Sequence, residues 1–205
     1  ISTLQTTLTV ALTTGLVGAA AGPAAVAGYG TGARLEYLLV PLVFGLGAPL
    51  VALVGTNIGA GQRARALRIA LVGGGLAFAV TEAIGVAAAV WPLAWLGLFG
   101  HEPRMLETGS AYLRAVGPAY GFFGVSLALY FASQGAGRLA WPLLAGLLRL
   151  VIAVGGGWIA LRLTGSLGWM FVALALGLVA SGVTVTAAVA SGVWYRHRSR
   201  TGVPS

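Results

Sequence analysis

One stretch constrains this chain more than any other. From Tyr29 to Gly61, a charged pair, Arg34 and Glu36, opens a mostly apolar run of about 20 residues, long enough to cross a bilayer core of roughly 30 Å. Only Pro41, Gly45, Gly47 and Pro49 interrupt it, and it closes on Asn57, Gly59-Ala60-Gly61 and the arginines Arg63, Arg65 and Arg68. A basic cluster directly after an apolar run marks the end that stays in the cytoplasm. The stretch reads as one membrane span, with ionisable groups near its outer end and a topological anchor at its inner end.

The pattern recurs along the chain. Apolar runs at about 1–22, 29–57, 65–91, 111–133, 139–163 and 169–194 predict an all-α polytopic membrane protein of six transmembrane helices, followed by a basic tail at 196–205. Charged residues make up 8% of the chain, against about 25% in a soluble domain, so lipid is the solvent for most of it. The 33 glycines fit helices that approach closely through small residues.

The net charge is +8, every side-chain positive charge is an arginine, and there is neither lysine nor aspartate. These arginines sit mostly in short gaps between spans, not in the continuous patch that nucleic acid requires. Six crossings put Arg63, Arg65, Arg68, Arg138, Arg196, Arg198 and Arg200 on one side, which predicts a cytoplasmic tail in the cell inner (plasma) membrane. No cysteine is present, which excludes disulfides and thiolate metal sites. His101 and His197 stand apart, one in a loop and one in the tail, so neither a metal site nor a catalytic constellation is expected. The chain opens on Ile1 inside an apolar run with no charged leader, and we expect it to be a piece of a longer protein.

Ionisable groups inside spans carry most of the functional signal, because a charge at the bilayer centre costs about 2.5–3.5 kcal/mol and so pairs or faces water. Glu36, Glu82, Arg114 and Arg149 are of this kind. Counting turns from the outer ends of spans two and four puts Glu36 and Arg114 at similar depth, which predicts a pair, with Arg34 as the rival partner. The pair is either a bridge locking two helices or a coupling site where a cation or proton displaces the arginine. Glu82 reads as a helix-packing group or a second coupling acid. Arg149 is expected to snorkel toward the cytoplasmic face or bind backbone carbonyls. Gln5, Thr9 and Thr13 share a face of span one; they either back-bond to their own helix or line a cavity. Tyr37, Tyr120 and Phe123 either pack or line a cavity for organic cations. Pro41, Gly45, Gly47 and Pro49 are candidate bending points, as a static kink or a moving hinge.

The order of Ala27-Gly28-Tyr29-Gly30, Arg34-Leu35-Glu36, Pro41, Gly45-Leu46-Gly47, Gly55, Asn57 and Gly59-Ala60-Gly61, continued by Tyr112-Leu113-Arg114, Pro118, Gln134-Gly135-Ala136-Gly137, Pro142 and Arg149, resembles the C-terminal lobe of a multidrug and toxic compound extrusion (MATE) transporter. The resemblance implies one lobe of a twelve-helix protein whose two six-helix halves face a shared cavity. It implies a missing N-terminal lobe as partner, organic cations or other amphiphiles as substrates, and H+ or Na+ as the coupling cation, with no cofactor. Many members carry an acid in the first or fourth span of this lobe. Here those positions offer Gln5, and Phe122, Phe123 and Ser126, so the coupling acid is expected elsewhere. Two other readings remain: a flippase for lipid-linked precursors, for which Arg34, Arg114 and Arg149 would supply cavity cations, and a non-transporting membrane assembly protein.

Overall fold

The computed structural model describes residues 2–192, with side chains from Leu4 onward. The basic tail and the end of the expected sixth span, at Trp194, lie outside the described residues. Among the described residues every regular element is helical.

The first helix, α1 (Ser2–Gly59), has 58 residues. At 1.5 Å per residue it is about 87 Å of helix, nearly three bilayer cores, and so cannot be one crossing. It breaks at Gly22 (φ 81°, ψ −173°), a conformation open in practice only to glycine, and Pro23 restarts the helix at a position where its missing N–H costs nothing. The arms on either side run antiparallel: a Cβ at Gly18 would lie 3.3 Å from Val26, and Thr9 lines the same cavity as Glu36. These arms are spans one and two. The expected gap at 23–28 is helical instead.

Helix α2 (Arg63–Val90) is the third crossing, and α3 (Pro92–Leu96) is a short turn of helix after it. Helix α4 (Pro103–Val116) starts where Glu102 accepts the Met105 N–H at 2.8 Å. A 3-10 turn at Gly117–Ala119 leads into α5 (Tyr120–Gly135). The fourth crossing therefore begins at Pro103 rather than near residue 111. The reason is that α4 is amphipathic and buries Met105, Tyr112, Leu113 and Val116. The fifth crossing is interrupted too. Helix α6 (Ala140–Leu150) passes through a π turn at Val151–Gly156 into α7 (Gly157–Thr164), and Gly165 closes it in the left-handed conformation (φ 67°). Helix α8 (Leu167–Ala190) is the sixth. Five continuous stretches are long and apolar enough to cross a membrane, and the break at Gly22 divides the first into two.

Close packing explains part of the glycine content. A Cβ at Gly85 of α2 would collide with the Gly117 carbonyl, one at Gly124 would collide with Thr81, and one at Gly135 would collide with the Val51 carbonyl of α1. Two buried apolar clusters result. One gathers Tyr29, Leu39, Leu113, Tyr120 and Phe171; the other gathers Val43, Val54, Ala70, Leu129 and Val185.

The expected bend at Pro41, Gly45, Gly47 and Pro49 does not appear as a break: Gly22 is the one residue inside α1 with non-helical dihedrals. Each proline removes one hydrogen bond, yet its fixed φ near −65° suits a helix. Gly47 has a packing role, since a Cβ there would collide with the Phe131 ring, whereas Gly45 faces open space. The crossings that break are the fourth, beside Pro118, and the fifth, at the π turn.

Candidate functional site

Glu36 lies on the second arm of α1, with its side chain 18% exposed. Its carboxylate accepts a charge-assisted hydrogen bond from Arg149 of α6 at 2.5 Å, and the Arg149 side chain is 23% exposed. Arg149, not Arg114, is thus the partner, and the Glu36–Arg114 expectation is corrected. Arg114 is exposed on α4, and Arg34 lies over the Phe99 ring, 5.4 Å from its centroid. Nor does Arg149 snorkel inward, as expected. Counted along straight helices, Glu36 is 23 residues before Gly59 and Arg149 nine after Ala140, depths about 20 Å apart. Their contact depends on how the helices are inclined in the bundle.

Three features hold Arg149. Its guanidinium lies over Phe123, 5.6 Å from the ring centroid, an arrangement that favours a cation. Its backbone carbonyl would sit 3.0 Å from a Cβ at Gly177, so any larger residue there would have to push α6 slightly away from α8. The π turn begins two residues later, at Val151. Such turns are common at functional sites.

Two cavities meet at the pair. The smaller, about 40 Å³, is lined by Glu36, Tyr37, Tyr29, Tyr112 and Arg149. The larger, about 110 Å³, is lined by Gln5, Ser126, Tyr130, Ser181, Phe123 and Arg149. Thr6 and Thr9 belong to both. Beside the pair, Tyr29 meets Tyr112 edge to face at 5.3 Å, and Tyr112 meets Phe171 at 5.4 Å. These rings join the second arm, α4 and α8 into one rigid wall.

Span one realises both of its readings. The Thr9 hydroxyl donates to the Gln5 carbonyl at 2.8 Å, and Thr9 also lines the cavities. Gln5 Nε2 donates to the Leu143 carbonyl at 3.2 Å, tying the first arm to α6. Thr13 is buried, and its hydroxyl has no hydrogen-bond partner among the described residues. Tyr37 and Phe123 line the cavities. Tyr120 lines neither: it is fully buried in the core, which corrects its place as a cavity residue. Glu82 lines neither cavity. Its carboxylate accepts the Gly121 N–H at 2.7 Å, at the first turn of α5.

Sequence reasoning missed Arg149 as a partner, and with it Thr6, Ser126, Tyr130 and Ser181 as cavity lining. Arg149, well inside the fifth apolar run, was the available signal.

Comparison with known proteins gives three results. The MatE family model matches residues 1–159. The chain is 35% identical over 130 residues to the FAD transporter of Shewanella oneidensis, a match that covers 62% of this chain and 28% of that protein. The fold superposes on the MATE transporter ClbM in complex with Rb+ with a TM-score of 0.84 at 19% identity, covering 92% of this chain and 44% of ClbM. The chain thus spans less than half the length of these relatives.

Proposed function

The chain belongs to the MatE family of transporters, and from that premise we propose that it forms one six-helix lobe of a secondary active antiporter. The full protein expels small amphiphilic or cationic compounds in exchange for H+ or Na+ by alternating access. It sits in the inner membrane, its basic tail is cytoplasmic, and the N-terminal lobe is the partner of this one. The observation that carries the reading is the Glu36–Arg149 pair at the junction of two cavities. A carboxylate and a guanidinium that face space for a competitor make an exchangeable contact. A proton or cation on Glu36 ends the attraction and frees Arg149. An organic cation competing for the same carboxylate is then exchanged for the coupling ion.

A second reading follows from the larger cavity. Its lining includes Arg149, Gln5 and several hydroxyls but no carboxylate, which suits a phosphate-bearing amphiphile, as the flippase alternative would require. The name of the FAD transporter relative is in keeping with this. Thermodynamic linkage separates the two readings. A cationic solute competes with the proton for Glu36, whereas an anionic solute on Arg149 binds better once Glu36 is protonated.

The test is transport by cells that carry the full-length gene, with Glu36→Gln and with the sodium or proton gradient removed in turn. Lost efflux in a protein that folds normally supports the coupling role. Unchanged efflux in such a protein overturns it. A variant that no longer folds reduces the pair to a structural lock.

A further inference from the structure

A second feature lies away from the ion pair. The second arm of α1 and α2 are antiparallel neighbours joined by the turn at 60–62. Between them runs an apolar groove of about 420 Å³, walled by Leu46, Pro49 and Leu53 on one side and Ile69, Val72 and Leu76 on the other. The lateral spacing of these residues follows helical faces, so the groove runs along the helices, on a face that the described residues leave open. Gly45 opens one end, since nothing lies within 4 Å of where its Cβ would be. Arg68 closes the other and is the only charge in the lining.

Arg68 is exposed and makes no hydrogen bond or ion pair with another described residue. The protein has only four acids, and none lies in the groove lining. Glu36 is held by Arg149, Glu82 by the Gly121 N–H, and Glu102 caps α4; Glu107 lies on α4. Arg68 is five residues inside α2, about 7 Å along the helix from Arg63. A guanidinium at that depth, at the end carrying the basic turn, lies where the phosphates of the inner leaflet begin. Arginine pairs with phosphate through parallel hydrogen bonds. Basic pockets between transmembrane helices on the cytoplasmic side bind anionic headgroups.

We infer that this groove is a binding site for one anionic phospholipid, its headgroup on Arg68 and an acyl chain along the α1–α2 seam. Charge complementarity selects this occupant. A second copy of this chain is a poorer match, since it carries twelve arginines against four acids.

The test uses the full-length protein in detergent with phosphatidylglycerol or phosphatidylcholine added. Native mass spectrometry counts retained lipid, and thermal unfolding reports stabilisation. Phosphatidylglycerol is expected to remain bound and to raise the unfolding temperature more than phosphatidylcholine does. Arg68→Gln removes that preference. Arg65→Gln makes the same change in net charge outside the groove and keeps it. Val72→Trp, at an exposed position, fills the groove and lowers retention of both lipids. Equal losses in Arg65→Gln and Arg68→Gln would reduce the effect to diffuse attraction by a basic loop and overturn the site. So would retention of both lipids to the same degree, or a dimer that Val72→Trp dissociates.

Discussion

Glu36 and Arg149 are 113 positions apart in sequence and 2.5 Å apart in the fold, and their contact ties the second crossing to the fifth. Both side chains are mostly but not fully buried, so the pair falls between a surface bridge, at about 0–1 kcal/mol, and a buried one, where loss of one partner costs about 3–5 kcal/mol. Arg149→Gln is expected to lower stability by about 1–3 kcal/mol, by strict intermediacy between those limits. Glu36→Gln combined with Arg149→Gln should cost less than the two single changes added together. A double-mutant cycle in detergent unfolding checks this, and additive losses would mean that the residues do not interact.

Arg114 supplies the matching control. It is exposed and forms no ion pair with Glu36, so Arg114→Gln should change stability by no more than about 0.5 kcal/mol. Transport should be retained, whereas Arg149→Gln should reduce it by on the order of tenfold or more, the factor that about 1.4 kcal/mol produces. Efflux measured side by side on the two variants decides the point.

Glu82 acts on the broken fourth crossing. Its carboxylate takes the Gly121 N–H at the start of α5, where no earlier turn of that helix can. Glu82→Ala should therefore cost about 1–2 kcal/mol, the range for loss of a helix cap, and Glu82→Gln, which keeps an acceptor oxygen, should cost less. Thermal unfolding of the two variants gives the ranking; equal effects would show that the hydrogen bond contributes nothing.

Glycines along the α2 seam are not equivalent. Gly85→Ala places a methyl against the Gly117 carbonyl and is expected to cost about 1–3 kcal/mol by overpacking. Gly75→Ala, with nothing within 4 Å, should be neutral or slightly stabilising. The same unfolding assay separates them.

Gly146 faces the larger cavity and packs on Gln5. Gly146→Val would push Gln5 off the Leu143 carbonyl and narrow the space beside Arg149. Substrate binding is expected to weaken by about tenfold, equivalent to about 1.4 kcal/mol. Binding titration on purified protein measures it, and an unchanged affinity would place the substrate elsewhere.

The sequence by itself determined the class of fold and the number of crossings. An uninterrupted apolar run of bilayer length has one low-energy solution, a helix whose backbone groups bond within the segment. It also marked Gly22-Pro23 as the end of span one, because these two residues disfavour a continuous helix through that point, and it singled out Glu36 as a charge in need of company. It placed Gln5, Thr9 and Phe123 among candidates that the fold gathers at the pair. What it could not supply was the partner. Depth counted from helix ends assumes straight, parallel helices, and on that assumption Arg114 matched Glu36 and Arg149 did not. The tertiary structure made the choice through the reversal at Gly22, the close approach of α6 to α8 at Gly177, and the π turn after Arg149. Those features fix tilt and rotation, which depend on neighbouring helices rather than on any one helix's own residues.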